Sequence, residues 1–460
     1  MVDTAVKYGA LQLSFANQFS FAWNDKDTGS KFKNDIAFWR PGRFSSTARP
    51  PAVGNLVVKD FHDPHGRFNY LFLDEAAAGG QMLKAPVDYR FLWNDRGTGS
   101  KFYGTIWRPI PPPGYVVLSD LFWPGRDKPP LNAVSCVRKT LDGRNYVRPA
   151  EIGHEVWNDR GSGSSGDDIA LWSIDAPPLF DNDGERLIVP VGGFTYVQHY
   201  NTPSPNEVCW VLDLPAVVET NPGPSTPQLT SYARPPATEQ ITDRVLTVPH
   251  TMVKDPDRDA AWQYTNSPFY KVRRKRRFTL IVHGHNTTSQ TQTPEEEVTT
   301  GVTKEKSEAF SVKTGISVTT SGGVSLGFAE ARTEISISLE MGYESRTSLS
   351  IFESKTLRRG IAIAPNSAGA LWCDHHELNL VRADGSVVGT GQDMDMNIPS
   401  YYWAAFPQGS GGGPTGELDL AEAQHQVWQA PAPDTDFELL AKAGPPPGAV
   451  DPLPEEKAST

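Results

Sequence analysis

From Phe310 to Tyr343 the chain alternates between apolar and polar positions. Phe310, Val312, Thr314, Ile316, Val318, Thr320, Val324, Leu326 and Phe328 form one set, and Ser311, Lys313, Gly315, Ser317, Thr319, Ser325 and Gly327 form the other. The phase slips near Ala329–Ala331 and resumes with Ile335, Ile337, Leu339, Met341 and Tyr343. A period of two predicts strands with one wet and one apolar face. An ordinary half-buried sheet has that pattern, and so does a lipid-facing hairpin with about 9–11 residues per crossing strand. Two features favour the convertible hairpin. None of the 39 prolines lies between Pro294 and Pro365, and Ser or Thr fills ten of the 34 positions. The expected tip lies between Ser321 and Ala331, with Gly322–Gly323 as its natural turn.

A second regularity fills the first half. Residues 23–30 read WNDKDTGS, 93–100 WNDRGTGS and 157–164 WNDRGSGS, each followed by a second tryptophan at Trp39, Trp107 or Trp172. Self-similarity at a near-constant spacing predicts three copies of one supersecondary unit, here a pseudo-threefold all-β body. Asn and Asp bond to nearby amides in such turns and Gly takes the positive φ, so geometry alone accounts for the turn residues. The same residues also suit a sugar. Trp23, Asn24, Asp25, Trp93, Asn94, Asp95, Trp157, Asn158 and Asp159 are the candidates for glycan contact, asparagine and aspartate to hydroxyls and tryptophan to a sugar face. The repeated WND turn, the D-I-x-x-W-R-P strand and the PPPGYVVLSD segment from Pro111 to Asp120 resemble the vacuolar protein sorting-associated protein 62 family over about residues 1–215. The third copy departs from the pattern, with Ser173 in place of Arg and an insertion before Gly192.

Beyond a proline-rich stretch the basic run Lys271-Val272-Arg273-Arg274-Lys275-Arg276-Arg277 opens an apolar strand. It reads as a solvated strand start, as an anionic-lipid contact, or as a cleavage site at Arg274, Lys275, Arg276 or Arg277. The Ser/Thr-rich strands that follow, over about 240–405, are similar to the aerolysin-like β-pore-forming toxins of the epsilon-toxin and mosquitocidal-toxin branch. That resemblance implies an elongated β-sheet domain bracketing an insertion hairpin, with a separate receptor-binding head. On that footing Val318, Val324, Leu326, Phe328, Ile335 and Ile337 are the lipid-facing candidates.

Composition narrows the function. The 460 residues carry a net charge of −11, which argues against a general nucleic-acid binder. Three widely spaced cysteines encode no disulfide framework. Nucleophile elbows, P-loops and H-E-x-x-H motifs are missing, so neither an enzyme nor a cofactor is expected, and the acidic and histidine clusters assemble no convincing metal site. The opening residues lack a basic segment followed by an apolar core, so release without a conventional signal peptide is expected.

The reading is therefore an all-β chain. A pseudo-threefold, β-prism-like receptor-binding domain at 1–218 and a linker at 219–239 precede an elongated aerolysin-like domain at 240–408. Its insertion hairpin spans 310–343, and a flexible tail occupies 409–460. The expected function is a pore-forming and insecticidal toxin. It would bind a surface receptor of glycan or glycolipid type, oligomerise, and insert a barrel into target membrane lipid. The alternative is a non-lytic carbohydrate- or membrane-binding trafficking module.

Overall fold

The computed structural model describes residues 2–26, 35–42, 51–161, 167–177, 186–319, 333–336, 354–389 and 393–415. Their regular structure is almost entirely antiparallel strand, with two short α-helices.

The three repeats build three matching sheets. Gln18–Asn24, Ala37–Gly42 and Leu56–Val58 form the first, and Asp88–Asn94, Gly104–Ile110 and Leu121–Pro124 the second. Glu151–Asn158, Ala170–Asp175 and Phe194–Val197 form the third. In each the second strand lies in the middle, and each carries a bulge at the same place, between Phe21 and Trp23, Phe91 and Trp93, or Glu155 and Trp157. Residues two apart on a strand ordinarily share a face; the extra residue of a bulge breaks that rule. Hence Phe21 and Phe91 point to solvent while Trp23 and Trp93 turn inward. Trp23, Trp93 and Trp157 meet in one core with Phe38, Phe122 and Phe194, and the Trp23 and Trp93 rings lie 6.2 Å apart.

The second region is built on a five-stranded sheet in the order Val217–Thr220, Ile241–Pro249, Phe269–Asn286, Ser367–Val381, Met394–Phe406. A three-stranded sheet of Glu295–Thr300, Lys355–Ile363 and Gly412–Thr415 packs on one end through Val282, Val298, Ile361, Leu371 and Trp403. The proline-rich segment between the regions is an extended strap. Its Leu229 is buried against Phe278 and Trp372, and the Thr238 hydroxyl accepts from the Phe278 amide at 2.7 Å. The two regions share one continuous core in which Tyr8, Leu13 and Phe15 meet Leu246, Met252 and Phe269. Polar contacts reinforce it. Tyr8 Oη donates to the Thr247 carbonyl at 3.1 Å, and Asn69 Nδ2 donates to the Ala260 carbonyl at 2.8 Å.

One expectation is overturned here. Phe310–Thr314, read as the start of a strand, is the end of an α-helix spanning Lys304–Thr314. Thr303 caps it by accepting from the Lys306 amide, and Gly315 ends it in the left-handed conformation with φ 69°. Ser307, Phe310, Ser311 and Thr314 are buried and Val312 is exposed, a helical period that the apparent alternation conceals.

Candidate functional site

The WND turns show what their residues are for. Each aspartate clamps the strand that follows. The Asp25 amide donates to the Ile36 carbonyl and its Oδ1 accepts the Ile36 amide at 3.0 Å. Asp159 makes the same pair with Ile169. The first two tryptophans reach into the next repeat: Trp23 Nε1 donates to the Phe102 carbonyl and Trp93 Nε1 to the Asp167 carbonyl, both at 3.2 Å. Asn94 and Asn158 fold their side chains onto their own turns, accepting from the Arg96 and Arg160 amides at 2.9 Å. All three tryptophans and all three aspartates are buried, so these six of the nine proposed sugar contacts are closed to a glycan, and only Asn24, Asn94 and Asn158 are partly exposed. The structural role of these turns prevails.

Burial has an electrostatic consequence. It raises the Asp95 and Asp159 carboxyl pKa values, and it pushes Asp25 up to about 6 despite the Ile36 amide bond. Asp25 Oδ2 has no hydrogen-bond partner among the described residues. A carboxyl whose folded pKa is raised binds its proton more tightly folded than unfolded, so stability is gained as pH falls through about 6 towards 4. Asp25→Asn keeps the acceptor for Ile36 and removes the charge. It is expected to stabilise the fold by about 1–2 kcal/mol at pH 8 and by nothing at pH 4. Melting midpoints at the two pH values measure this, and a loss at pH 8 would refute it.

The outer face of the first two repeats carries what the turns lack. Phe21 packs edge-on against Trp39 and Phe102, with ring centroids 5.5 and 5.1 Å away. Tyr103 lies beside them with the Arg126 guanidinium 4.0 Å from its ring centroid, and Arg40 lies 4.5 Å over Trp123. Reading the sequence missed this patch. The available signal was the position two before each repeat tryptophan, which is Phe21, Phe91 and then Glu155.

The basic run is not exposed chain. It lies inside Phe269–Asn286, hydrogen-bonded on both sides to Ile241–Pro249 and Ser367–Val381. Arg274 is buried and pairs with Asp243 at 2.9 and 2.6 Å. Arg276 bridges Asp374 at 2.6 Å and Asp243 at 3.4 Å, Lys275 meets Glu377 at 2.6 Å, and Arg277 Nη2 lies 3.5 Å from His375 Nε2. A protease needs a free extended backbone, and here both edges are occupied. Cleavage at Arg274, Lys275, Arg276 or Arg277 of the folded chain is therefore excluded.

Thr300 and Lys355 are directly paired partners at the ends of two antiparallel strands. Residues 301–354 are thus inserted at one point of that sheet, and Gly301 at their start is bridged to Asn397. The segment begins with the docked helix, whose Phe310 enters the shared core and whose Thr314 carbonyl accepts the Lys254 amide at 2.7 Å. Ile316–Thr319 then pairs with Thr333–Ser336, setting Val318 opposite Ile335. That pairing is parallel, so these strands do not form the expected antiparallel hairpin in this state. Val324, Leu326, Phe328 and Ile337 lie outside the described residues.

No helix among the described residues is long and apolar enough to cross a membrane, which leaves strands untested. The three cysteines are free and buried. No group of three metal-capable side chains occurs among the described residues. Near the third turn Tyr200 Oη instead spans Asp159 and Asp168, 2.9 Å from each.

Comparison with known proteins divides the chain at the same place. Residues 2–211 match the model of vacuolar protein sorting-associated protein 62, and residues 244–383 match that of the insecticidal crystal toxin, P42. The later region is similar to insecticidal crystal toxins. Among solved structures, GNIP1Aa from Chromobacterium piscinae is 25% identical over 43% of this chain, with a TM-score of 0.33, and the chain spans 34% of its length. Cry35Ab1 is 13% identical over 88% of this chain and 91% of its own, with a TM-score of 0.32. Overlays this loose support no functional inference. No curated protein matches the chain.

Proposed function

We propose that this chain is an insecticidal pore-forming toxin, in which the three-repeat body contacts a target cell and residues 301–354 supply the membrane-crossing strands. The observation that carries the reading is the placement of that segment. It is inserted between paired Thr300 and Lys355 in the region similar to the P42 toxins, so it can leave without breaking the strand pairing that precedes and follows it. A single inserted strand pair would leave unpaired backbone groups in lipid, each costing several kcal/mol. Insertion therefore follows oligomerisation, when neighbouring protomers close the sheet into a barrel. The barrel geometry is that of the aerolysin-like toxins, and the surface receptor is a glycan or glycolipid.

A second reading, a non-lytic binding or trafficking module, draws on the parallel pairing of Ile316–Thr319 with Thr333–Ser336, which must be undone before a hairpin can form. Vesicles made from insect gut membranes separate the two. The toxin reading expects dye release together with detergent-resistant oligomers. A protein that binds, stays monomeric and releases nothing is the trafficking module.

A further inference from the structure

We infer that the junction of the first and second repeats is a lipid-contacting surface that takes the headgroup layer of an anionic bilayer. The inference rests on the reading above and deepens it by naming what the repeat body meets at the target. Phe21, Phe102 and Tyr103 are 38%, 47% and 57% exposed and form one patch across two repeats, with Phe21 and Phe102 in edge contact. Phenylalanine rings held half in water have no polar atom to satisfy there, and transfer into the acyl boundary removes that apolar surface from water. Tyrosine has an apolar body and a polar tip, the combination found at the headgroup level of membranes.

The cations decide which surface. Arg126 lies 4.0 Å from the Tyr103 ring centroid and Arg40 lies 4.5 Å from that of Trp123, so the patch carries guanidinium donors, the group that pairs with phosphate oxygens. Both arginines are exposed and bring two positive charges to the patch, on a chain whose overall charge is −11. A sugar hydroxyl would also need a free acceptor beside the rings, which a guanidinium does not supply. The Thr105 hydroxyl is instead committed within the sheet, 3.2 Å from the Trp123 and Gly125 carbonyls and 2.8 Å from Trp107 Nε1. The third repeat does not extend the patch. Glu155 replaces the exposed phenylalanine and accepts from Asn158 Nδ2 at 2.5 Å, so contact is one-sided and would orient the body on the bilayer.

Sedimentation of the full chain with phosphatidylcholine vesicles, with and without phosphatidylserine, tests this. The Phe102→Ser, Tyr103→Ser double variant is expected to bind about twenty-fold more weakly, since each half-exposed ring contributes about five-fold. Arg126→Gln is expected to lose about five-fold, and only on vesicles containing phosphatidylserine. Unchanged melting midpoints show that the variants fold. Parent-level vesicle binding by the double variant would overturn the inference, as would loss of binding to immobilised glycans with vesicle binding intact. Dye release is scored separately. Binding that depends on the patch but causes no release removes the pore reading and leaves the lipid contact standing, whereas release by a double variant that binds like the parent removes only the contact.

Discussion

A Lys313→Cys, Gly389→Cys variant is expected to release no dye while oxidised and to regain release when reduced. A Cβ placed on Gly389 would lie 3.3 Å from the Cβ of Lys313, close to the separation a disulfide spans. Gly389 has φ +61°, so a cysteine there costs about 1–2 kcal/mol, a modest charge against the whole fold. The native cysteines are buried and do not compete. The staple fixes the end of helix Lys304–Thr314 to the body, and the segment that follows cannot reach a distant bilayer with its first residues held at Lys254. Release of that helix has to lift Phe310, with the flanking Val302 and Ile316, out of the shared core. Phe310 is its one large apolar anchor, worth about 1.5–3 kcal/mol, and Ser307, Ser311 and Thr314 make up the rest. Undiminished release from the oxidised protein would show that the docked helix stays in place, and with it the Phe310 end of the proposed insertion segment.

Asp255→Ala is expected to destabilise the second region by about 3–5 kcal/mol. Arg382 approaches Asp255 through two nitrogens at 2.7 Å each, and Tyr270 Oη donates to the same carboxylate at 2.8 Å, all of them buried. Removing the acid leaves a guanidinium in the interior with Ser386, the Val387 carbonyl, the more exposed Asp257 and the Trp262 ring to meet it among the described residues. The Asp255→Ala, Arg382→Met double variant should lose less than the sum of its single changes, because no buried charge is stranded. Urea unfolding gives both values, and strict additivity would contradict the pairing. Burial alone would raise the Asp255 pKa, but the bonds from Arg382 and Tyr270 outweigh it and hold the carboxyl below its ordinary range. A depressed carboxylate contributes stability above the unfolded pKa of about 4, and loses it as pH falls through the folded value. The second region should therefore weaken in acid below pH about 4, the opposite sense to Asp25.

The repeats were legible because WND recurs as a string, and the string encodes a local turn. The bulge was not, since nothing in Phe21-Ala22-Trp23 announces that the alternation breaks there; that inversion separates the outer patch from the inner core. The helix at Lys304–Thr314 had visible boundary marks in Thr303 and Gly315. They lost to a chance alternation of Phe310, Val312, Thr314 and Ile316, because the buried face is made of small polar residues rather than aliphatics. The basic run looked exposed because its partners are remote in sequence. Asp243 lies 31 positions from Arg274, and Asp374 lies 98 from Arg276. Charge pairing across a sheet is fixed by register, and register is not written in any short window.

The tryptophan contacts between repeats carry a consequence for how such a body can change. Trp23 gives its N–H to the second unit and Trp93 gives its own to the third, so each handover runs the same way round. In an open solenoid a unit can be added or lost at an end, and its neighbour merely acquires a new cap. Here each described donor is completed by the unit after it, and deletion of the middle repeat would strand one buried indole N–H and orphan one carbonyl at the same stroke. Gene-level duplication or loss of a single repeat is thus disfavoured, while divergence on the outside is free. The Phe, Phe, Glu succession at positions 21, 91 and 155 shows the outer surfaces diverging while the tryptophan two positions on is kept in every unit.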